Sequence, residues 1–69
     1  MRKKCKDLTS REVDVLKQLI LGCSNKEIGE SLFVTPHTVK AHLTSIFKKL
    51  GVTNRTLAAM KAKEQGFWE

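Results

Sequence analysis

The chain has 69 residues, a formal net charge of +6 and 41% hydrophobic residues. This length supports one small domain with a thin core and leaves little material for a cleft, so neither an enzyme nor a site for a cofactor, metal or small-molecule ligand is expected. No apolar run reaches the roughly 18 residues of a membrane-spanning helix, and no signal peptide is visible, so a cytoplasmic protein without a membrane partner is expected.

Helix signals begin after a basic tail at residues 1–7, which is either the end of a linker or a free terminus. Thr9 and Glu12 have the spacing of a capping box, and Gly22 is a typical C-terminal stop. These signals predict a first helix over residues 10–21. Its predicted apolar stripe consists of Val13, Leu16, Leu19 and Ile20.

A second, shorter helix has the same kind of start. Ser24 and Glu27 repeat the capping-box spacing, which predicts a helix over residues 25–32. Inside it, Gly29 is about 1 kcal/mol less favourable than alanine. We therefore expect another helix to cross closely at Gly29.

A third and longer helix is predicted over residues 36–50. Thr35 is a good N-cap, Pro36 occupies the first helical position, where proline is favoured, and Gly51 is a stop. At about 100° per residue, the predicted core side consists of Val39, Leu43, Ile46 and Leu50, with Phe47 at its edge. The opposite side consists of His37, Lys40, Ala41, Thr44, Ser45 and Lys48.

The outer side of the third helix has no acidic residue. Its long cations, short hydroxyls and one methyl group are the kinds of group that read base edges in a major groove. The lack of acids extends from residue 31 to residue 63, a stretch with six lysines and arginines. This distribution favours a face that binds a polyanion such as DNA, and a basic surface selected for solubility is the alternative.

A fourth helix is predicted over residues 55–65, with Asn54 as its N-cap. Its apolar residues lie on more than one side: Leu57, Ala58, Ala59, Met60 and Ala62. This width fits a contact with a second subunit, and it fits equally well the use of alanine as a helix former. Phe67 and Trp68 are expected to cap the core below this helix. Together the four helices predict an all-α, four-helix bundle over residues 8–69.

The cysteines and histidines do not form a recognisable metal site. Cys5 and Cys23 belong to no CxxC pair, and His37 and His42 are not spaced to bind one metal from one helix face. We interpret both cysteines as reduced thiols.

An ordered set of motifs runs through the chain without gaps: LTSRE at 8–12, VL at 15–16, GCSNKEI at 22–28, TVKAHL at 38–43, KLGV at 49–52 and RTLA at 55–58. Over residues 8–60 this set resembles the LuxR-type helix-turn-helix domain. The resemblance implies a four-helix DNA-binding domain of bacterial transcription regulators, often the C-terminal part of a response regulator. It also implies a homodimer, formed through the last helix, that binds two half-sites.

The resemblance assigns roles residue by residue. Contacts to base edges fall on Lys40, Ala41 and Thr44. Contacts to the DNA backbone fall on Asn25, Lys26, Thr35, Thr38, His42 and Lys48. Dimer contacts fall on Leu57, Ala58, Ala59 and Ala62.

Several positions leave alternatives open or depart from the family pattern. His42 lies near the core boundary, so a buried structural histidine is as consistent with its position as a phosphate contact. Lys48 and Lys49 also compensate the helix dipole at the end of the third helix. Gly29 stands where the family usually has alanine, and Pro36 stands where it usually has a polar residue.

Three functional classes can be compared. Sequence-specific binding to duplex DNA by a transcription regulator explains the charge pattern and the motifs. A helical protein-interaction module, for instance one that docks RNA polymerase, is the alternative, and an enzyme has no catalytic motif to support it. Salt separates the first two classes, because DNA binding releases counterions and weakens steeply as salt rises.

Overall fold

The computed structural model describes residues 8–64, which form four α-helices. α1 spans Ser10–Ile20, α2 spans Asn25–Leu32, α3 spans Pro36–Leu50 and α4 spans Arg55–Glu64. The predicted all-α class is confirmed, and each helix begins at the predicted residue. None of these four helices has both the length and the apolar character needed to cross a membrane. The predicted end of the fourth helix and the predicted cap by Phe67 and Trp68 lie outside the described residues.

Reciprocal capping boxes fix the starts of α1 and α2. The Thr9 hydroxyl accepts a hydrogen bond from the Glu12 N–H at 3.1 Å, and the Glu12 carboxylate accepts one from the Thr9 N–H at 3.0 Å. Ser24 and Glu27 form the same reciprocal pair at 3.1 and 2.7 Å. Each cap satisfies N–H groups that have no partner inside the helix and contributes about 1 kcal/mol.

α1 ends at Ile20, one residue before the predicted end. Leu21 is its C-cap, and Gly22 has a φ of 91°, in a region that glycine enters without steric penalty. The N–H of Cys23 then donates to the Gln18 carbonyl at 3.1 Å. The chain therefore turns out of α1 at the predicted glycine.

Gly29 permits a close approach, but its neighbour differs from the predicted one. A Cβ atom at this position would lie 2.6 Å from the Val34 carbonyl oxygen and 3.4 Å from the Pro36 nitrogen. The neighbour is thus the turn between α2 and α3, and the expectation of a crossing helix was wrong. Because this turn leads directly into α3, Gly29 helps to set the direction of α3 relative to α2.

The core brings all four helices together, and α3 packs against each of the others. The buried apolar residues are Val15, Leu16, Leu19, Ile28, Val39, Leu43, Ile46, Leu50, Ala58 and Ala62. The four core residues predicted on α3 are all buried.

On α1, Val15 is fully buried although the predicted stripe omitted it, whereas Val13 and Ile20 are only partly buried. The buried side of α1 is shifted because α1 packs against both α3 and α4.

Candidate nucleic-acid interface

The outward side of α3 presents the three residues predicted to contact bases. Lys40, Ala41 and Thr44 are all exposed, and they lie away from the buried side that holds Val39 and Leu43. The Thr44 hydroxyl donates to the Lys40 carbonyl oxygen at 3.1 Å, so its oxygen keeps lone pairs that accept hydrogen bonds from a ligand. A cation, a methyl group and an acceptor are thus brought together on one face.

The N-terminus of α3 has no acidic residue in its first turn. The Thr35 hydroxyl accepts a hydrogen bond from the Thr38 N–H at 3.1 Å, and the two threonine hydroxyls lie 3.0 Å apart. The two threonines predicted to contact the DNA backbone are therefore held together at the helix start. The positive end of the helix dipole favours an anion such as phosphate at this position.

The start of α2 holds two more predicted backbone contacts. Lys26 is exposed. Asn25 is half-buried, and its Oδ1 accepts a hydrogen bond from Arg55 Nη1 at 2.6 Å. Arg55 Nη2 also donates to the Cys23 carbonyl at 2.9 Å. Arg55 thus joins the start of α4 to the start of α2, a role that sequence analysis missed because Asn25 and Arg55 are 30 positions apart.

The last two predicted backbone contacts differ in exposure. Lys48 is exposed near the C-terminal end of α3, whereas His42 is half-buried. The half-buried position of His42 agrees with its place near the core boundary in the helical projection. Lys48 and Lys49 both lie in the last turn of α3, where they also compensate the helix dipole.

Ser45 lies in a different environment from the one predicted. Its hydroxyl donates to Glu12 Oε2 at 2.7 Å, and Lys49 Nζ donates to Glu12 Oε1 at 2.8 Å. The assignment of Ser45 to the outer face is therefore corrected, because the buried carboxylate of α1 requires donors and Ser45 supplies one. The sequence signal for Glu12 was its local capping box, whereas these partners on α3 lie 33 and 37 positions away.

Glu12 is an ionised carboxylate that is only 5% exposed. Burial raises the pKa of its carboxyl, but hydrogen bonds from Lys49, the Thr9 N–H and Ser45, together with the Lys49 charge, outweigh burial and lower the pKa from 4.5 to about 2. Glu12 therefore carries a negative charge at neutral pH, and Lys49 balances it.

The four residues predicted to form a dimer interface on α4 divide into two groups. Ala58 and Ala62 are fully buried in the core, so their side chains do not reach a second subunit and this part of the prediction is corrected. Leu57 is 42% exposed and Ala59 is half-buried. Met60, one of the apolar residues predicted on more than one side of this helix, is 54% exposed. The difference arises because α4 packs against both α1 and α3.

Metal-binding residues do not cluster in the part of the chain that the structure describes. Within residues 8–64, no group of three or more histidine, cysteine, aspartate or glutamate side chains is arranged to hold a metal ion. Cys23 is a half-buried free thiol, and Cys5 lies outside the described residues.

Comparison with known sequences agrees with this geometry. A family profile described as bacterial regulatory proteins of the luxR family matches residues 6–62. The transcriptional regulatory protein LiaR of Bacillus subtilis (strain 168) is 53% identical over 55 residues, which are 80% of this chain and 26% of LiaR. The chain thus spans about a quarter of the length of this curated relative.

Solved structures have the same fold. The response regulator ChrA of a heme-sensing two-component system matches with a TM-score of 0.84 and 42% identity, over 90% of this chain and 31% of the ChrA chain. The transcription factor GerE matches with a TM-score of 0.80 and 32% identity, over 87% of this chain and 90% of the GerE chain. These similarities confirm the resemblance found in the motifs. The chain belongs to the luxR family of bacterial regulatory proteins, and it is a transcriptional-regulator DNA-binding domain rather than an enzyme.

Proposed function

We propose that the chain binds duplex DNA in a sequence-specific manner, with α3 in the major groove. The exposed, acid-free face formed by Lys40, Ala41 and Thr44 carries this proposal. An α-helix fits the major groove, where a long cation reaches guanine O6 and N7 and a methyl group meets the thymine methyl. The Thr44 oxygen is suited to accept from the amino group of adenine or cytosine.

Contacts to the sugar-phosphate backbone hold α3 in register in this proposal. The proposed backbone contacts are Asn25, Lys26, Thr35, Thr38, His42 and Lys48. Thr38 and Lys48 lie ten residues apart on α3, which is roughly 15 Å along the helix axis. They therefore reach phosphates that are well separated, and α3 is fixed near both of its ends.

A homodimer through α4 is the second part of the proposal. Leu57 and Met60 are exposed apolar residues three positions apart, so they lie on one side of the helix. Ala59 and Met60 also line a shallow groove of about 350 Å³ beside α1. A single DNA-binding module buries only about 600–1,000 Å² of its surface, so we expect weak binding by a monomer. We therefore expect a dimer that binds two half-sites roughly one turn of the DNA double helix apart.

Selection of bound duplexes from a random DNA pool tests the proposal. We expect a consensus with two half-sites, and the duplex that carries this consensus is called the selected site below. Addition of the selected site should shift the amide NMR signals of Lys40, Ala41 and Thr44, while those of Arg11 and Asp14 on α1 stay in place. Failure to enrich any sequence, or unchanged α3 signals, would contradict the proposal.

We also propose RNA polymerase as a protein partner of this chain. Two exposed apolar residues support such a contact. Phe33 is 93% exposed and has a φ of 62°, a conformation that is unfavourable for an aromatic residue. Leu21 is 78% exposed. Phe33→Ser should weaken binding to purified polymerase and leave DNA affinity unchanged. Loss of DNA affinity instead would remove the support for this contact.

A further inference from the structure

We propose that Glu12 is a positioning residue for DNA recognition, and that its pairing with Lys49 keeps that lysine out of contact with phosphate. The inference rests on the proposed function, since it concerns how α3 presents its outer face to DNA. It assigns different roles to the adjacent residues Lys48 and Lys49.

The geometry of Glu12 supports a link between α1 and α3. Its Oε1 accepts hydrogen bonds from the Thr9 N–H at 3.0 Å and from Lys49 Nζ at 2.8 Å, and its Oε2 accepts one from the Ser45 hydroxyl at 2.7 Å. Ser45 and Lys49 are one helical turn apart. A single buried carboxylate therefore binds two successive turns along one flank of α3.

This link constrains the rotation of α3 about its axis. Ser45 directly follows Thr44, and Lys49 directly follows Lys48, so each bound residue adjoins a proposed DNA contact. Recognition residues must be held within about 10–20° of their productive orientation. Two bonds from one fixed carboxylate on the flank of α3 resist rotation in a way that nondirectional core packing does not.

The same pairing separates the electrostatic roles of the two lysines. Both lysines are exposed residues, but the charge of Lys49 is already balanced by Glu12, whose Oε1 lies 2.8 Å from Lys49 Nζ, whereas Lys48 lies on the outer side of α3. A lysine that stays paired within the protein neutralises no phosphate and releases no counterion. Lys48 is therefore expected to contribute to the salt dependence of DNA binding, and Lys49 is not.

Salt titration with a short duplex of random sequence tests the role of Lys49. Lys48→Gln should reduce the slope of log affinity against log salt by about 1. Lys49→Gln alone leaves a buried carboxylate without its cation and threatens the fold, so the informative variant is Glu12→Gln with Lys49→Gln. That double variant, with its helical content verified by circular dichroism, should retain the wild-type slope. A reduction of about 1 in the double variant would overturn the assignment of Lys49.

The positioning role has a second test with a matched control. Glu12→Gln and Asp14→Asn each remove one negative charge from α1, but Asp14 is exposed and pairs with Arg11 at 3.9 Å. We expect Glu12→Gln to lower the ratio of affinities for the selected site and the random duplex by about tenfold, and Asp14→Asn to leave that ratio unchanged. Both variants should raise affinity for the random duplex, and Glu12→Gln should raise it more because it also releases Lys49 from its carboxylate partner. An unchanged ratio in Glu12→Gln would overturn the positioning role.

Ser45→Ala provides a variant that changes no charge. It removes one of the two links to α3 and should lower the same ratio by about threefold, with unchanged helical content. An unchanged ratio in Ser45→Ala would count against the link. A wild-type chain that binds neither duplex at any salt concentration would instead overturn the proposed function, so the two failures are distinguishable.

Discussion

α3 and α4 bury different kinds of side chain. The buried residues of α3 are large and aliphatic: Val39, Leu43, Ile46 and Leu50. α4 buries two alanines, Ala58 and Ala62, and leaves the larger residues Leu57 and Met60 substantially exposed. Large aliphatic side chains are thus buried on α3, whereas the large apolar side chains of α4 are exposed.

Under the proposed function, this difference divides folding and binding between the two sides of each helix. Burial of each large aliphatic side chain stabilises the fold by about 1.5–3 kcal/mol, so α3 is anchored by its inner side, and its outer side is the proposed DNA-binding face. The small buried residues of α4 allow a close approach to the core, while its large apolar residues remain available to a partner. The four predictions below test this division, beginning with the largest expected effect.

Adjacent alanines on α4 should respond very differently to the same substitution. Ala58→Asp places a charge at a fully buried position, and we expect it to lower the free energy of unfolding by about 3–5 kcal/mol. Ala59→Asp changes a half-buried position, so its unfolding free energy should stay within about 1 kcal/mol of wild type. Urea denaturation measures both values.

The same pair of variants tests the dimer face. Ala59→Asp should remain folded but lose self-association, which sedimentation measures. Equal destabilisation of the two variants would contradict the division of α4 into a core side and a partner side.

The carboxylate that anchors α3 should make stability depend on pH. The pKa of Glu12 is about 2 in the folded chain against 4.5 for an unperturbed glutamate, so the unfolded chain binds more protons between these values. The stabilisation, about 3 kcal/mol, is fully present above pH 4.5 and is lost as pH falls toward 2. Urea denaturation of wild type at pH 7 and pH 3 should show about 2 kcal/mol of this loss, because folded Glu12 is still largely ionised at pH 3. Glu12→Gln should reduce the loss.

Asp14→Asn is the control for this pH dependence, because it removes an exposed carboxylate from the same helix. It should retain most of the wild-type change between pH 7 and pH 3. If wild type and Glu12→Gln lost equal stability on acidification, the anchoring role of Glu12 would be refuted.

The features that sequence could predict are those set within a few residues of the chain. The caps at Thr9, Ser24 and Thr35 act over three positions, so the helix starts were accessible from sequence. Helical periodicity likewise predicted that Lys40 and Thr44 share one side of α3, and the structure has both exposed.

The features that sequence missed depend on packing between distant segments. Glu12 meets Ser45 across 33 positions, and Asn25 meets Arg55 across 30. No local pattern encodes these contacts. The alanines of α4 were assigned incompletely for another reason, since alanine is a good helix former on any side and its position in the sequence carries little information about burial.

Lys40 is expected to provide specificity as well as affinity. Lys40→Ala should lower affinity for the selected site by about 1–3 kcal/mol and affinity for random DNA much less, as measured by fluorescence anisotropy. Lys61→Ala removes the same charge from an exposed position on α4 and should affect the two duplexes equally. Equal losses for Lys40→Ala on both duplexes would make Lys40 a phosphate contact instead.

Thr44 should give the smallest effect and the sharpest test of the outer face of α3. Because its hydroxyl donates to the Lys40 carbonyl, the oxygen is left to accept, and the base it meets must offer an amino group, as adenine and cytosine do. Thr44→Val removes the acceptor and keeps the shape, so affinity for the selected site should fall by about 1 kcal/mol and the preference at one base pair should disappear. Thr44→Ser retains the acceptor and should retain that preference. Selection with the wild-type chain could instead give guanine or thymine as the contacted base, with that preference lost in Thr44→Val. In that case the Thr44 hydroxyl would donate to DNA, so its bond to the Lys40 carbonyl would break on binding, and the prediction would be wrong.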